Sequence, residues 1–281
     1  MNERGDGEEN HDHIFEHREY FRDVLARIRE IMHRDFSMTE VTIRPLGVGG
    51  ARLSIPVTIE GFDKDHNQVR YFGKIIGTTD LVTARTIQFF KNIYLQMNSM
   101  EAMFEIIQSP EHLAKHQYEI GMAIYNLGIP TAKPMGCYSL DGKLWLVVSE
   151  FLNAHPMADK DYLKEEYVDT VFSYLQKMHK NGIFHGDLKP ENVMIGDKVY
   201  IIDVGHFTES APTEEKQAYD VASEMASLAE HVPCENLVRI AHRYYSRKQV
   251  KKVASYLDLV QRRPDINLSD ENKNKLMRLL K

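Results

Sequence analysis

The chain has 281 residues, 43% of them apolar, enough for one large domain or two modest lobes around an ordinary core. A formal net charge of −6, from 35 Lys/Arg against 41 Asp/Glu, argues against a chain that binds nucleic acid or membrane over its whole surface. Its two cysteines, Cys137 and Cys234, are too few for a disulfide framework or a cysteine zinc site. No apolar run approaches the roughly 18 residues of a spanning helix, and the polar start MNERGDGEENHDH lacks an apolar signal core, so a cytoplasmic setting is expected.

In chain order, residues 1–12 are acidic and polar with nothing to bury, and are expected to be a disordered tail. From His13 to about Phe36, the positions Phe15, Tyr20, Val24, Leu25, Ile28 and Ile31 recur at helical spacing and predict an amphipathic helix. VTIRPLGVGGARLSIPVTIEG and QVRYFGKIIG switch to β-branched runs broken by Gly and Pro, as strands and turns do. Leu81 to Ile107 reads as helix, and so does Glu111 to Leu127, closed by Gly128. GIPTAKPMGCYSLDGKLWLVVSEFL predicts two strands around an Asp141-Gly142 turn. Leu163 to Met178 marks another helix, closed by Asn181-Gly182, and the chain after Tyr219 again reads as helical. A strand-rich first half followed by a helix-rich second half predicts an α+β fold of two lobes, 13–152 and 153–281, with an insert at about 78–107.

Between these halves lies FHGDLKPENVMIGDKVYIIDVG, Phe184 to Gly205. Phosphoryl transfer from a nucleotide needs an acceptor for the attacking hydroxyl's proton, oxygen ligands for Mg²⁺ and cations beside the phosphates, because its catalysis is mainly positioning and charge neutralisation. The stretch offers Asp187 for the hydroxyl, Lys189 for the moving phosphate, and Asn192 and Asp203 as hard oxygen ligands. VMIGDKVYII between them folds back as a hairpin turning at Gly196-Asp197, which brings Asn192 and Asp203 together.

HGDLKPEN resembles the protein-kinase catalytic loop His-Arg-Asp-Leu-x-x-x-x-Asn, and IDVG resembles the Asp-Phe-Gly metal motif. The two in order, joined by a hairpin, resemble protein kinases over roughly residues 44–230. The resemblance implies a bilobal protein-kinase-like fold, with a small strand-rich N-lobe carrying a helical insert and a mostly helical C-lobe. It implies ATP and Mg²⁺ (or Mn²⁺) as cofactors. Lys74 in VRYFGKIIG resembles the strand lysine that binds the nucleotide phosphates, and its expected partner is a helical glutamate, Glu119 first, with Glu111 and Glu105 as further candidates. LGVGGARLS resembles a shortened glycine-rich phosphate loop, with Gly47, Gly49 and Gly50 admitting phosphate oxygens to backbone N–H groups. LWLVVSEFL resembles the last N-lobe strand running into the hinge, which implies Ser149 as gatekeeper and the backbone of Glu150 and Leu152 against the adenine edge.

Departures from the pattern narrow the resemblance. Gly186 stands where the loop Arg is usual, Val204 replaces the Phe, and no Ala-Pro-Glu follows, so a phosphorylated activation-loop switch is not expected. The compact form is similar to small atypical kinases, the RIO type and the kinase of the tRNA-modifying KEOPS complex, in which Asp220 would brace the catalytic loop; a plain helix N-cap is the other reading of Asp220. His-Gly-Asp loops also occur in aminoglycoside, choline and lipopolysaccharide-core kinases.

Two features compete for attention. HIFEH, His13 to His17, matches an inverted zinc-protease signature, but it lies in a charged segment and helix-surface histidines are the preferred explanation. RIAHRYYSRKQVKKVASYLDLVQRR, 239–263, carries eight Lys/Arg against Asp258 and is a candidate surface for RNA or a ribonucleoprotein, or a solvated helix face. The sequence therefore predicts an ATP- and Mg²⁺-dependent phosphotransferase, first an atypical Ser/Thr protein kinase acting on a protein substrate. A kinase of sugars or lipid head groups and a nucleotide-binding pseudokinase scaffold are the alternatives.

Overall fold

The computed structural model describes residues 6–46, 54–77, 91–93, 95–98, 100–106, 108–159, 163–205 and 207–281, with side chains from Tyr20 onward. Helix α1, Asp6–Phe36, starts seven residues ahead of His13, so the expected tail of residues 1–12 is helical from Asp6 on. The glycine-rich stretch holding Gly47, Gly49 and Gly50 lies outside the described residues, as does all of 78–90, and the side chains of HIFEH are likewise not described.

Five antiparallel strands follow α1: β1 (Thr39–Pro45), β2 (Ile55–Phe62), β3 (Gln68–Ile76), β4 (Pro134–Ser139) and β5 (Trp145–Glu150), in the order β1-β2-β3-β5-β4. The strands form where β-branched and aromatic residues gather between turns, and the β4–β5 turn sits at the expected place. There Gly142 takes φ 82°, and the Asp141 carboxylate accepts the peptide N–H groups of Lys143 (2.8 Å) and Leu144 (2.6 Å). The second half of α1 lays Val24, Ile28 and Met32 against Val57, Ile59 and Leu146 of the sheet, so its apolar stripe is what holds it there. Helix α2, Pro110–Asn126, opens with Ser109 Oγ capping the His112 N–H at 3.0 Å, ends before Gly128 at φ 68°, and packs next to β4 and β5.

The second half is built on α3 (Glu165–Lys180), α4 (Thr213–Leu228), α5 (Cys234–Tyr244), α6 (Arg247–Val253), α7 (Leu257–Gln261) and α8 (Asp270–Leu279). A small sheet, β6 (His155–Pro156), β7 (Val193–Ile195) and β8 (Val199–Ile201), sits at its edge, and β7–β8 is the hairpin that the sequence predicts. Its core is a separate cluster centred on Phe172, Tyr219, Met225 and Leu237. The architecture is thus the two-lobed α+β arrangement that the sequence predicts, strand-rich in the first part and helical in the second.

The insert corrects one expectation. Residues 91–93 and 95–97 are helical, but 100–106 are not; Phe104 instead forms an antiparallel bridge to Phe207, and Thr208 N–H donates to Met103 O at 2.9 Å. Asn92 holds this turn by donating to Phe104 O (2.7 Å) and accepting from the peptide N–H groups of Met103 and Phe104. Among the described residues no helix is long and apolar enough to cross a membrane.

Candidate active site between the lobes

A cavity of about 260 Å³ opens between the two lobes, walled mainly by apolar side chains and bounded by Lys74, Ser149, Glu150, Leu152 and Asp203. Ser149 and Glu150 close β5, while Leu152 and Asp203 lie just beyond β5 and β8. Lys74 is carried on β3, paired with Pro56 on one side and Val147 on the other, so its strand is fixed from both edges.

Lys74 Nζ donates to Asp203 Oδ1 at 2.7 Å, across 129 residues of sequence. Partial desolvation in the cleft would raise the Asp203 carboxyl; the Lys74 ammonium outweighs it and holds the group below its ordinary range. Asp203 itself adopts φ 55°, a left-handed conformation that turns its side chain out of the line of β8. Asn192, buried at the end of a short 3₁₀ turn, Pro190–Asn192, donates from Nδ2 to Asp187 O (2.8 Å), Asp187 Oδ2 (3.2 Å) and Asp203 O (3.3 Å). The proposed hydroxyl acceptor and both proposed metal ligands therefore share one set of hydrogen bonds. Lys189 Nζ is 3.6 Å from Asp187 Oδ2. Burial opposes its charge, but Asp187 and Asp265 prevail and raise its pKa.

The loop that carries these groups is held from behind. Asp220, wholly buried in the middle of α4, accepts the peptide N–H groups of His185 and Gly186 and contacts His179 Nε2 at 3.1 Å, which is the bracing role and not an N-cap. The buried His185 ring faces Ile202 O through Nε2 at 3.1 Å and the Asp187 N–H through Nδ1 at 3.3 Å. Burial lowers its pKa, which favours the neutral ring with the proton on Nε2. Gly186 sits at φ 76° with its back to Gly205; a Cβ on Gly205 would lie 2.9 Å from both the carbonyl carbon and oxygen of Gly186. Glycine in HGD and in DVG is thus what lets the two motifs touch.

Glu119 is corrected. It is exposed on α2, whereas the face that lines the cavity carries Gln117, Gly121 and Ile124. Residues two positions apart on a helix are roughly 200° apart around the axis, so Glu119 faces away wherever Gln117 faces in. Glu111 pairs with Lys115 at 2.6 Å and Glu105 lies 3.6 Å from His112 Nε2, so none of the three acids meets Lys74. Glu150 and Leu152 both line the cavity. The Glu150 N–H donates to Lys133 O at 2.9 Å, while among the described residues the Leu152 peptide group has no hydrogen-bond partner.

The fit to Mg²⁺ rests on donor chemistry. Asn192 uses Nδ2 for its hydrogen bonds and Asp203 uses Oδ1 for Lys74, which leaves Asn192 Oδ1 and Asp203 Oδ2 uncommitted. Among the described residues no group of three or more His, Cys, Asp or Glu forms a self-sufficient metal site. Two protein oxygens completed by substrate phosphates and water are what Mg²⁺ ordinarily takes.

Sequence reasoning missed Arg263 and Asp265. Arg263 Nη2 hydrogen-bonds Asp187 Oδ1, and Lys189 Nζ hydrogen-bonds Asp265 Oδ2. The only signal was that Pro264 and Asp265 interrupt the basic run just where it ends. That run is also less basic than it reads, since Arg239, Arg243, Lys248, Lys252 and Arg263 are all ion-paired to acids.

No family model matches the chain. Among curated proteins it is similar to the MAPK/MAK/MRK overlapping kinase of Mus musculus, 27% identical over 135 residues, which cover 47% of this chain and 29% of that protein. The chain thus spans less than a third of that relative's length. Among solved structures it aligns with the Mycobacterium tuberculosis PknI kinase domain at a TM-score of 0.42 and 12% identity, over 86% of this chain and 96% of that one. The similarity in sequence to a protein kinase thus extends over nearly half of this chain.

Proposed function

We propose that the protein is an ATP- and Mg²⁺-dependent phosphotransferase that transfers the terminal phosphate to a hydroxyl group, of the small atypical type, acting first on Ser or Thr of a protein. The observation that carries this reading is the convergence of Lys74, Asp203, Asn192 and Asp187 at one end of the interlobe cavity, linked by contacts of 2.7–3.3 Å. Lys74 binds phosphate oxygens from the N-lobe side. Asn192 and Asp203 hold Mg²⁺, which neutralises phosphate charge when bound. Asp187 orients the acceptor hydroxyl and takes its proton, and Lys189 offsets charge on the transferred group. Leu152 and the carbonyl of Glu150 supply the hinge hydrogen bonds for the adenine edge. Absence of an Ala-Pro-Glu and the Phe104–Phe207 bridge directly after Asp203 support the atypical type, with no long activation loop to switch.

Transfer of radiolabelled phosphate from ATP with Mg²⁺ tests it, with generic protein, the chain itself and a panel of sugars and amino alcohols as acceptors. Protein labelling that disappears in folded Asp187→Asn supports the lead reading. Labelling of a metabolite alone moves the substrate class, and nucleotide binding without any transfer overturns the enzymatic reading in favour of a scaffold. One observation favours that last outcome: the α2 residue facing the cavity is Gln117, so Lys74 has Asp203 and no helical acid to hold it.

A further inference from the structure

Arg263 follows α7 in the turn before α8, 76 residues beyond Asp187, and its side chain is 4% exposed. A guanidinium so far from water needs a partner for each nitrogen. Nη1 donates to Ser223 Oγ at 2.9 Å and Tyr219 OH at 3.3 Å; Nε and Nη2 fork onto the two oxygens of Asp265 at 3.1 and 2.7 Å; Nη2 also reaches Asp187 Oδ1. Ser223 Oγ in turn donates to Leu188 O at 2.9 Å, so the same guanidinium supports the catalytic loop through a second route.

Asp265 accepts from Lys189 Nζ, and Lys189 stands beside Asp187 Oδ2. Arg263, Asp187, Lys189 and Asp265 thus form a closed ring of four charges alternating in sign. Burial alone would raise the Asp265 carboxyl, but Arg263 and Lys189 hold it far below its ordinary range. Within the ring Asp187 Oδ1 is occupied, and Oδ2 keeps only the Asn192 amide at 3.2 Å and the more distant Lys189. A carboxylate with one oxygen tied no longer rotates freely about its Cβ–Cγ bond. Its remaining oxygen keeps a fixed direction.

On the phosphotransfer reading above, we propose that Arg263 and Asp265 are positioning residues of the reaction centre: Arg263 fixes Asp187 with Oδ2 left for the acceptor hydroxyl, and Asp265 fixes Lys189 beside it. A purely structural strut would cost stability and leave the rate per folded molecule untouched. A positioning role costs kcat, because misplacing a reacting group by about 1 Å costs about 100-fold.

The test is steady-state kinetics with Mg-ATP on the full chain and on Arg263→Met, Arg263→Lys and Asp265→Asn, each checked for folding by circular dichroism and thermal melting. Arg263→Met is expected to lower kcat about 30- to 100-fold with KM for ATP within about twofold. Arg263→Lys, which keeps the charge, is expected to recover at least a third of the loss on a logarithmic scale, and Asp265→Asn to lose about tenfold. Folded Arg263→Met with the parent kcat overturns the proposal, as does a loss carried wholly by KM. Should Arg263→Met not fold, Asp265→Asn and Arg263→Lys decide in its place, parent kcat in both overturning it. Should the parent chain show no turnover, phosphotransfer falls on its own. A crystal structure of a folded Arg263 variant then decides the positioning claim: an Asp187 carboxylate rotated away from its place beside Asn192 supports it, and an unmoved one overturns it.

Discussion

Asp220 Oδ1 accepts the peptide N–H of Gly186 at 2.7 Å, while Oδ2 accepts that of His185 at 2.8 Å, so one buried carboxylate sets where the HGD turn begins. Asp220→Ala strands two buried N–H donors and is expected to cost about 2–4 kcal/mol of stability, read as a lower midpoint in urea. Asp220→Asn keeps one acceptor and should lose about half as much. Equal stability of Asp220→Ala and the parent would refute the bracing role.

The contact between the two glycines makes a separate prediction. Gly186→Ala places a side chain at φ 76° and is expected to cost about 1–2 kcal/mol. Gly205→Ala meets backbone that cannot step aside, and should cost more than Gly186→Ala in the same denaturation assay.

Glu224 gives the chain a pH dependence of its own. Its two carboxylate oxygens are buried without a hydrogen-bond partner, and burial, with some help from Glu191, raises its pKa from 4.5 to about 8. The folded state therefore keeps a proton that the unfolded state gives up at about 4.5. The stabilisation is full below pH 4.5 and is lost as pH rises towards 8, with a slope of at most about 1.4 kcal/mol per pH unit. In Glu224→Gln that slope should vanish from the stability profile, and the variant should overtake the parent at pH 8. Parallel profiles for the two proteins would rule this out.

Asn92 is the pin of the insert. Asn92→Ala removes three hydrogen bonds to the 103–104 backbone and is expected to speed amide exchange at 100–106 and at Phe207 and Thr208, by about 1–3 kcal/mol of local opening energy. Unchanged exchange at Thr208 would show that the Phe104–Phe207 bridge stands without it.

What the sequence made legible was local. Asp141-Gly142 and Gly196-Asp197 turn their hairpins through chemistry contained in a few residues, and the HGD and DVG motifs lie close enough in sequence for that hairpin to join them. The direction of Glu119 was not legible, because helical periodicity gives the spacing of faces but not which face meets the cavity. Asp6 to Asp12 looked unstructured because their composition offers nothing to bury, yet acidic residues suit the first turns of a helix, where the macrodipole favours them. Arg263 was hidden by its neighbours: among seven other Lys/Arg in its segment, nothing marked it as the one that goes inside.

Because the ring around Asp187 closes only through Arg263 and Asp265, a ribosome must translate beyond codon 265 before the Asp187 carboxylate acquires its anchor. A nascent chain arrested short of that point would lack α8 and would leave Asp187 Oδ1 without Arg263, so on the phosphotransfer reading its acceptor side would be unfinished.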